Sequence, residues 1–533
     1  MALRQLLLKP EHPILTIVSY RIAGKRSLYH IAKALKADSG NQYHNHPSIP
    51  RYNRDLETAK ENARIVVIGA GLAGLSAAQH LLSHGFRRCL VLEATDRYGG
   101  RINSKKFGDT FCELGAKWVN IDGSHDSTYE LLKNAEGLGK QIKEKEKVQY
   151  VHEEKQVNPV MVELIDTLFR QLCGGLKVKD TLKKGKDLHA LDNVMAYFQM
   201  ESNKIISISY KEPAEQQTAQ EIFQSLFKEF SSIFGCCLEH VNIEQITSYP
   251  VVQQEQHPIY VPTGLDNVVN EIKKNLDDDQ LQTGKPVGKI EWIGHPMLGE
   301  FKSVGCLDGS LYKADHIICT LPLGVLKNFA GILFNPTLPL DKLLAIRNLG
   351  NGNPVKIFIS YKKPISRWFK SNLRPLSCSL TSDSANNQQE RNWTQQVVEI
   401  SQLPTSQHVL EIRIGGGYYD EIEKLPDSNL VEEITALLRK CIRNHLVPYP
   451  QGLLRSYWNS SACYLGGRPY FSISSSARDV QRLAAPLGEP IPSLLFAGDA
   501  TTLHGFGTID GARTSGIREA QRIIDYYTMK QCN

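Results

Sequence analysis

The sequence predicts an α/β protein of more than one domain, with a parallel sheet covered by helices in one domain and an α+β arrangement in another. Its 533 residues are several times the usual domain size of about 100–200 residues. A short β-branched run at residues 64–68 leads directly into a glycine-rich turn and an apolar helical pattern. A second strand, loop and helix pattern lies near the other end, at residues 495–520. Alternating strands and helices of this kind are typical of α/β folds.

Composition and cysteine usage exclude several classes of protein. Apolar residues make up 41% of the chain and charged residues 22%, which excludes collagen and long disorder. No apolar run approaches the roughly 18–20 residues that span a bilayer, so we expect no integral membrane segment. The eleven cysteines are scattered without a CxxC motif, which indicates reduced thiols and neither a disulfide framework nor a metal site.

Positive charge is concentrated at the N-terminus. Residues 1–37 hold seven Lys or Arg and one acid, whereas the rest of the chain has equal numbers of basic and acidic residues. A neutral body does not indicate a nucleic-acid surface, so no nucleic-acid partner is expected. The apolar residues between 28 and 35 share one helical face, and a basic, acid-poor, amphipathic segment is typical of a mitochondrial presequence. Residues 1–60 are therefore expected to be an extension, either mitochondrial targeting (residues 1–40) or a solvated extension of a cytoplasmic protein.

A dinucleotide-binding motif opens the first predicted domain. Residues 64–68 (Arg-Ile-Val-Val-Ile) predict a buried parallel strand. The turn that follows at once consists of Gly69, Ala70, Gly71, Leu72, Ala73 and Gly74. Gly69 permits the tight turn, Gly71 lets the backbone approach a pyrophosphate, and Gly74 allows close packing of helix on strand. The phosphates would lie at the helix N-terminus, which predicts a Rossmann-like domain.

A second predicted strand, residues 89–92, ends in Glu93. This carboxylate lies 19 residues past Gly74, where dinucleotide-binding folds place the acceptor for a ribose diol. A glycine motif by itself is weak evidence and can be a turn of purely structural origin. Strand, glycines, helix, second strand and acid in this order favour a dinucleotide site.

The segment after Glu93 carries a family resemblance. Residues 93–97 (Glu-Ala-Thr-Asp-Arg), followed by Gly99, Gly100 and Arg101, resemble the segment by which flavin-containing amine oxidases hold FAD. The resemblance implies FAD rather than NAD, with Arg101 near the pyrophosphate. The chemistry agrees, because a guanidinium forms a charge-assisted fork with phosphate oxygens. The alternative for Arg101 is an ordinary surface arginine.

The C-terminal part resembles the closing motif of the same family. Residues 495–501 and 507–520 predict a strand, a loop and a helix whose N-terminus meets an anionic partner. By resemblance, Asp499 binds the ribityl chain, and Thr508 and Ile509 face the flavin ring. Asp499 is one methylene shorter than the glutamate common at this position, but it can still accept a hydrogen bond from a hydroxyl.

The resemblance divides the chain into two discontinuous domains. The Rossmann-like FAD-binding domain is expected to comprise residues 61–140, 251–329 and 456–533. The α+β substrate-binding domain is expected to comprise residues 141–250 and 330–455.

Local patterns predict further elements within these segments. Residues 285–292 and 314–323 predict short strands in the middle of the FAD-binding domain, where Val287 would contact the adenine by resemblance. Residues 220–234 and 429–446 carry helical patterns in the substrate-binding domain.

Among the amine oxidases, the chain most closely resembles polyamine oxidases of the spermine oxidase and N1-acetylpolyamine oxidase type. The evidence is residues 321–327 (Leu-Pro-Leu-Gly-Val-Leu-Lys) and 355–359 (Val-Lys-Ile-Phe-Ile), and the resemblance covers residues 61–528. It implies hydride transfer from the carbon beside an amine nitrogen to flavin N5, hydrolysis of the resulting imine, and reoxidation by O2 with release of hydrogen peroxide. The expected partners are a small-molecule amine and O2, and the chemistry requires no metal.

Lys356 is the predicted catalytic residue. It stands in the strand-like run 355–359, where the family places the lysine that holds a water against flavin N5. Burial of a lysine disfavours its charged form and lowers the pKa. The alternative is an edge-strand lysine whose amine reaches solvent.

One segment both resembles the family and departs from it. By resemblance, Gly115, Ala116, Lys117 and Trp118 bind the cofactor. Asn120 is a candidate substrate residue at a position where polyamine members usually have a histidine. Since Asn does not titrate near neutral pH, any acid–base role is lost there.

Three further positions depart from the family and suggest an altered amine channel. Arg468 stands where the family commonly has an aromatic wall of the channel, a place that Tyr470 or Tyr464 could fill instead. Arg413 stands where a tryptophan is frequent, and Asp510 stands where a histidine is frequent. A fixed cation about 6 Å from a protonated amine costs roughly 3 kcal/mol at an effective dielectric near 20, unless an acid such as Asp510 neutralises it. We therefore expect weak activity on free spermine and spermidine and a preference for acetylated or less charged amines.

Other functions stay open at this point. A flavin-binding pseudoenzyme would keep the glycine motifs and lose substrate residues. An amino-acid oxidase would use an arginine to hold a substrate carboxylate. A histone-lysine demethylase of the same fold would carry chromatin-binding modules and a long helical insertion, which the sequence does not indicate.

Overall fold

Two large sheets organise the part of the chain that the structure describes. The computed structural model describes residues 58–120, 128–134, 148–152, 156–181, 193–246, 249, 258–294, 301–376, 393–417, 419–488 and 490–529. The predicted targeting segment at residues 1–40 lies outside these described residues.

The first sheet is parallel throughout and has five strands. In spatial order they are β21 (Leu494–Phe496), β12 (His316–Cys319), β1 (Ile65–Ile68), β2 (Cys89–Leu92) and β8 (Leu281–Gln282). Val66 and Ile68 contribute to one hydrophobic core, and Ile65 and Val67 to another. Both faces of β1 are therefore covered, which is why its sequence is a continuous apolar run.

Two helices at opposite ends of the sequence meet on this sheet. Helix α1 (Leu72–Ser83) follows β1 and packs against helix α12 (Ile509–Met529), which follows β21. A Cβ atom at Gly516 of α12 would lie 2.0 Å from the carbonyl oxygen of Ala73 in α1, so close approach requires a glycine at this crossing. The two predicted cofactor motifs are thereby brought side by side.

The second large sheet has six strands, antiparallel except at one edge. In spatial order they are β19 (Gly452–Arg455), β15 (Lys356–Ser360), β18 (Val409–Ile414), β17 (Val397–Gln402), β16 (Asn372–Pro375) and β6 (Val148–Val151), with β16 and β6 parallel. On one face, Ile357, Ile412 and Ile414 pack in a core with Ile434 of helix α10 (Asp427–Ile442). The other face carries charged side chains and is part of the candidate site described below.

The remaining described elements complete the packing around these sheets. Helices α3 (Pro159–Thr181), α4 (Val194–Ser209) and α5 (Pro213–Ser232) form one layer, held by contacts between Phe169, Phe198 and Phe227. The other helices are α2 (Thr128–Asn134), α6 (Asp266–Lys273), α7 (Leu323–Leu333), α8 (Leu340–Asn348), α9 (Tyr419–Lys424) and α11 (Ala477–Ala484). The smaller sheets comprise β3 (Ser104–Phe107) with β4 (Thr110–Glu113), β5 (Trp118–Asn120) with β7 (Pro258–Tyr260), β14 (Gly350–Gly352) with β20 (Arg468–Tyr470), and β11 (Leu311–Ala314), β10 (Lys302–Cys306), β9 (Val287–Glu291) and β13 (Phe334–Asn335).

The predicted α/β fold class is confirmed, and most predicted elements lie where expected. The helical patterns at 220–234 and 429–446 fall largely within α5 and α10. The predicted strand at 314–323 is wrong at its end, because β12 ends at Cys319 and α7 begins at Leu323. The proline that precedes Leu323 suits a helix start, since its missing N–H would have no partner in the first turn. The two-domain boundaries stay a prediction.

None of the helices in the described ranges is long and apolar enough to cross a membrane.

Candidate active site

The glycine-rich turn lies between β1 and α1. Gly69 has a φ of 101°, a left-handed conformation that favours glycine. A Cβ atom at Gly74 would lie 2.0 Å from the carbonyl oxygen of Gly69, so the helix touches the turn. At Gly71, by contrast, a Cβ would meet nothing within 4 Å, and Leu72 begins the helix there. The N-terminus of α1 thus exposes a backbone that an anionic group can approach.

Glu93 lies beside this turn and is buried. Its Oε2 accepts a hydrogen bond from the backbone N–H of Ala70 at 2.8 Å, and Oε1 accepts from the N–H and the hydroxyl of Thr95 at 2.9 and 2.8 Å. A carboxylate oxygen accepts two hydrogen bonds, so Oε2 has capacity for a further donor. The ribose-binding role of Glu93 stays a prediction.

The second glycine segment lies directly on the first. The N–H of Gly99 donates to the carbonyl of Ala70 at 2.8 Å, and a Cβ at Gly100 would lie 3.2 Å from the Cα of Gly71. Gly99 and Gly100 have φ values of 107° and 60°, which glycine adopts without strain. Both motifs therefore line one stretch of backbone.

Arg101 and Asp499 meet although 398 residues separate them. The guanidinium forms a bidentate ion pair with the buried carboxylate, at 3.0 Å to Oδ2 and 2.6 Å to Oδ1. Arg101 also donates to the carbonyl of Gly467 at 3.0 Å. The N-terminal and C-terminal motifs thus converge, as the resemblance implies, but in this structure the two side chains bind each other.

Lys356 is linked to the same place through the backbone after β4. The N–H of Ala116 donates to the carbonyl of Arg101 at 3.2 Å, and a Cβ at Gly115 would lie 1.8 Å from that oxygen. The amine of Lys356 donates to the carbonyls of Glu113 and Gly115, at 3.0 and 2.6 Å. Lys356 therefore joins the six-stranded sheet to the segment that packs on Arg101.

A second lysine and two carboxylates surround this contact. Lys117 forms an ion pair with Glu411 of β18, whose carboxylate is almost fully buried, and its amine lies 5.3 Å from the ring centroid of Trp118. Burial lowers the pKa of Lys356 to about 8. Repulsion by Lys117 also lowers this pKa, whereas attraction by Glu411 raises it. Burial alone would raise the pKa of Glu411, but the two lysines hold it below its usual value. Burial raises the pKa of Glu113 to about 6.

Arg413 belongs to a four-membered ion-pair network on the same sheet face. It binds Glu399 of β17 at 2.8 Å and Glu229 of α5 at 3.2 Å. Arg374 of β16 binds the same two carboxylates at 3.1 and 2.8 Å. Arg413 is therefore neutralised by acids, although not by Asp510, the acid suggested by the sequence. Repulsion by a fixed cation is expected only where no acid neutralises it, and Glu229 and Glu399 neutralise Arg413 here.

Arg468, in β20, differs from Arg413 because its guanidinium forms no ion pair within the described part of the chain. Its Nε is buried without a hydrogen-bond partner among the described residues, and a Cβ at Gly507 would lie 3.2 Å from it. Burial lowers the pKa of Arg468, and Tyr249 and Asp499 oppose this only in part. A buried polar atom without a partner needs one, so this cation fits an anionic ligand group.

The residues present therefore fit a dinucleotide cofactor. Gly71 offers an open backbone at a helix N-terminus, and Glu93 and Asp499 offer carboxylates for hydroxyl groups. Arg101 and Arg468 offer guanidinium groups beside them. Hydroxyl groups and phosphates are the polar groups of the ribityl, pyrophosphate and ribose parts of FAD.

Two predicted aromatic residues lie in different surroundings. The ring of Tyr470 is buried against Gly350, where a Cβ would lie 2.3 Å from the ring. The hydroxyl of Tyr464 accepts from Arg97 at 3.1 Å and donates to the carbonyl of Gly100 at 3.3 Å. Tyr464 thus contacts the second glycine segment, while Tyr470 contributes to the core. Roles for either in a substrate channel stay predictions.

The other predicted residues lie at element ends. Ile509 begins α12, and the hydroxyl of Thr508 accepts from the N–H of Gly511 at 3.1 Å in its first turn. Val287 begins β9 and packs against a hydrophobic core. Asp510 accepts from the N–H of Thr128 at 2.9 Å. The backbone of Asn120 pairs with Pro258, and its side chain lies outside the described part of the structure.

Sequence reasoning missed the carboxylates of this site. They are Glu113, Glu229, Glu399 and Glu411. The run 411–414 alternates charged and aliphatic residues, a signal for a strand with one polar face that could have pointed to Glu411. No local signal indicates its pairing with Lys117, because 294 residues separate them.

Comparisons with known proteins agree with this geometry. The chain is 69% identical to protein anon-37Cs of Drosophila melanogaster, over 95% of this chain and 98% of the relative. It is 29% identical to the peroxisomal N(1)-acetyl-spermine/spermidine oxidase of Homo sapiens, over 87% of this chain and 95% of the relative. Its fold resembles that of wild-type putrescine oxidase bound to putrescine, with a TM-score of 0.63 at 19% identity, over 87% of this chain and 99% of that one.

A family model identifies the chain more directly. The model describes flavin-containing amine oxidoreductases and matches residues 72–524. This range begins within the first glycine segment, at Leu72, and includes the second glycine segment, Lys356 and the whole C-terminal motif. The predicted resemblance is therefore confirmed. This protein belongs to the flavin-containing amine oxidoreductase family.

Proposed function

We propose that this protein oxidises polyamines or closely related amines with release of hydrogen peroxide, and that it prefers acetylated or otherwise less charged substrates. Family membership makes it an amine oxidoreductase with FAD as cofactor. The substrate and the peroxide are the proposal. The observation that carries it is the amine of Lys356, held by the backbone segment that packs on Arg101.

FAD supplies the redox chemistry when bound, because it takes up two electrons from an amine and passes them to O2. Gly71 would meet the pyrophosphate, Glu93 the ribose and Asp499 the ribityl chain. Arg101 and Arg468 would compensate the anionic charge of the cofactor. A cofactor that binds Asp499 must share it with Arg101, whose fork already holds both carboxylate oxygens.

Lys356 would orient a water at the reacting centre. An ammonium has three N–H donors, and two of them are engaged by the carbonyls of Glu113 and Gly115. The third has no acceptor among the described residues and is free to hold a water. A pKa of about 8 leaves the amine mostly protonated at neutral pH, yet able to exchange its proton.

The charges around Lys356 support a preference for less charged amines. Glu411 is paired with Lys117, and Glu229 and Glu399 are shared by two arginines. These described acids are thus all paired with basic side chains, and none of them is left over to attract a cation. A polycation therefore gains little attraction there. The human relative at 29% identity is named for N(1)-acetylated substrates, which agrees with this preference.

The test is peroxide release by purified protein, loaded with FAD, across spermine, spermidine, their acetylated forms, monoamines and amino acids. Fast oxidation of acetylated polyamines and slow oxidation of free spermine are expected. Fast oxidation of free spermine would contradict the preference. Oxidation of amino acids alone would replace the proposed substrate class. Silence on every substrate despite bound FAD would favour a flavin-binding pseudoenzyme.

Flavin content is the necessary companion measurement. The purified protein is expected to be yellow, and Arg101→Ala should lower its FAD occupancy because the fork near the cofactor is lost. Wild-type protein without flavin absorbance after expression with ample riboflavin would overturn the functional interpretation as a whole.

A further inference from the structure

Lys117 and Glu411 lie next to Lys356 but come from different parts of the fold. Lys117 precedes β5, two residues beyond the carbonyl of Gly115 that holds Lys356. Glu411 is on β18, which pairs with the strand of Lys356 in the register Phe358 to Glu411. Since residues two apart on a strand share a face, the side chains of Lys356 and Glu411 lie on the same side of the sheet.

Glu411 has an unusual environment for a carboxylate. Its side chain is 1% exposed and its Oε2 binds the amine of Lys117. Its Oε1 has no hydrogen-bond partner among the described residues. A buried carboxylate with one unpaired oxygen is costly unless nearby cations compensate it, and here two lysines do so.

We propose that Lys117 and Glu411 form a positioning pair that sets the charge of Lys356 during amine oxidation. This rests on the proposed function, in which Lys356 acts at the reacting centre. Lys117 and Glu411 act through Lys356, and neither needs to touch the substrate. The pair attracts and repels the ammonium of Lys356 at the same time, so its two members have opposite effects.

The direction of each effect follows from charge. Glu411 favours the protonated form of Lys356, while Lys117 disfavours it. Removing Glu411 should therefore lower the pKa of Lys356, and removing Lys117 should raise it. Removing both restores the local balance and should return the pKa close to its wild-type value.

Other groups around Lys356 stay constant in this comparison. The titratable groups that interact with it electrostatically, in addition to the pair, are Cys112 and Glu113 of β4 and Arg413 of β18. Arg413 is held by its own two carboxylates. On the neighbouring β19, Arg455 lies opposite Ile357 and donates to the carbonyls of Ile422 and Leu425, away from Lys356.

The experiment compares Lys117→Met, Glu411→Gln and the double variant in the FAD-loaded protein. The pKa of Lys356 is measured by NMR of ¹³Cε-labelled lysine, assigned with Lys356→Met. The pH dependence of anaerobic flavin reduction by the amine is measured in parallel by stopped flow. Lys117→Arg tests rescue by a retained charge, and Lys105→Met, which changes an exposed lysine of β3, is the matched control.

Opposite shifts of about 1 pH unit are expected for the two single variants, with the double variant and Lys117→Arg close to wild type. Shifts in the same direction, or none beyond the control, would overturn the proposal. If Glu411→Gln does not fold, the absence of an upward shift in Lys117→Met overturns it alone. The NMR titration needs no substrate turnover. If the protein oxidises no amine, the proposed function is wrong, and the pKa shifts of Lys356 still test the positioning pair separately.

Discussion

Lys342 and Lys356 are both enclosed lysines that donate to backbone carbonyls, but their surroundings differ. Lys342 of α8 is 1% exposed and donates to the carbonyls of Arg482, Leu483 and Ala485 at 2.7–2.8 Å, with the ring of Phe496 at 4.3 Å. Its three N–H groups are all used at the C-terminal end of α11. Lys356 has two carbonyl partners and keeps some accessible surface.

The difference separates a lysine whose donors are all used by the fold from the lysine that we propose acts at the reacting centre. Burial lowers the pKa of both to about 8, so the pKa alone does not distinguish them. What distinguishes them is the unused donor of Lys356 and the charged cluster around it. A cation whose donors are all satisfied stabilises the fold, whereas one with a donor to spare can bind a ligand.

The largest expected effect is on turnover. Lys356→Met should retain FAD and slow amine oxidation about 100-fold, since the group that orients the water is lost. Lys342→Met should leave the rate unchanged at a temperature where it is folded. Stopped-flow measurement of the reductive and oxidative half-reactions checks this. Unchanged rates in both half-reactions of Lys356→Met would make that lysine structural and remove the distinction.

The next effect is on stability. Here Lys342→Met should have the larger effect and Lys356→Met the smaller, the reverse of their order for turnover. Lys342→Met should lower the free energy of unfolding by about 2 kcal/mol, because three carbonyls at the end of α11 lose a charged donor. Lys356→Met should cost less than about 1 kcal/mol, because relief of burial compensates two lost bonds. Urea unfolding at saturating FAD, followed by circular dichroism, measures both. Equal losses would show that the spare donor does not mark function.

The same contrast predicts the behaviour of two arginines. Arg468→Met should weaken FAD binding about tenfold, the effect of one charge-assisted hydrogen bond. Arg413→Met should not weaken it, since Arg413 is occupied by Glu229 and Glu399. Titration of apoprotein with FAD, followed by quenching of flavin fluorescence, gives both dissociation constants. Equal affinity in Arg468→Met and wild type would assign Arg468 to the substrate side.

The last prediction is a pH dependence of stability. The folded pKa of Lys342 is about 8, below its usual 10.5, so the unfolded chain holds more protons between these values. This contribution to stability is present above the unfolded pKa and is lost as the pH falls through about 8. Relative to Lys342→Met, wild type should gain up to about 1.4 kcal/mol per pH unit between pH 8 and 10. Unfolding free energies at several pH values test the sign, and a flat difference would contradict it.

The sequence by itself determined the elements that depend on neighbouring residues. Strand β1, the turn at Gly69 and the start of α1 follow from a β-branched run and glycine spacing, and Glu93 follows from its place after β2. Lys356 also lies on a strand as predicted. Such features are set by backbone preferences over a few residues, which is why they can be predicted without tertiary structure.

Only the tertiary structure decided which charges meet. The pairing of Arg101 with Asp499 and of Lys117 with Glu411 joins residues hundreds of positions apart. In the sequence, Lys342 cannot be distinguished from a surface lysine of an amphipathic helix. In the fold, its amine donates to carbonyls at the C-terminal end of α11. A charged residue type specifies that a partner is needed but not which one, because the partner is set by how distant strands and helices pack. Only the tertiary structure therefore shows which cations are paired and which are not. The resemblance of Arg468 to a cofactor-binding residue rests on that distinction.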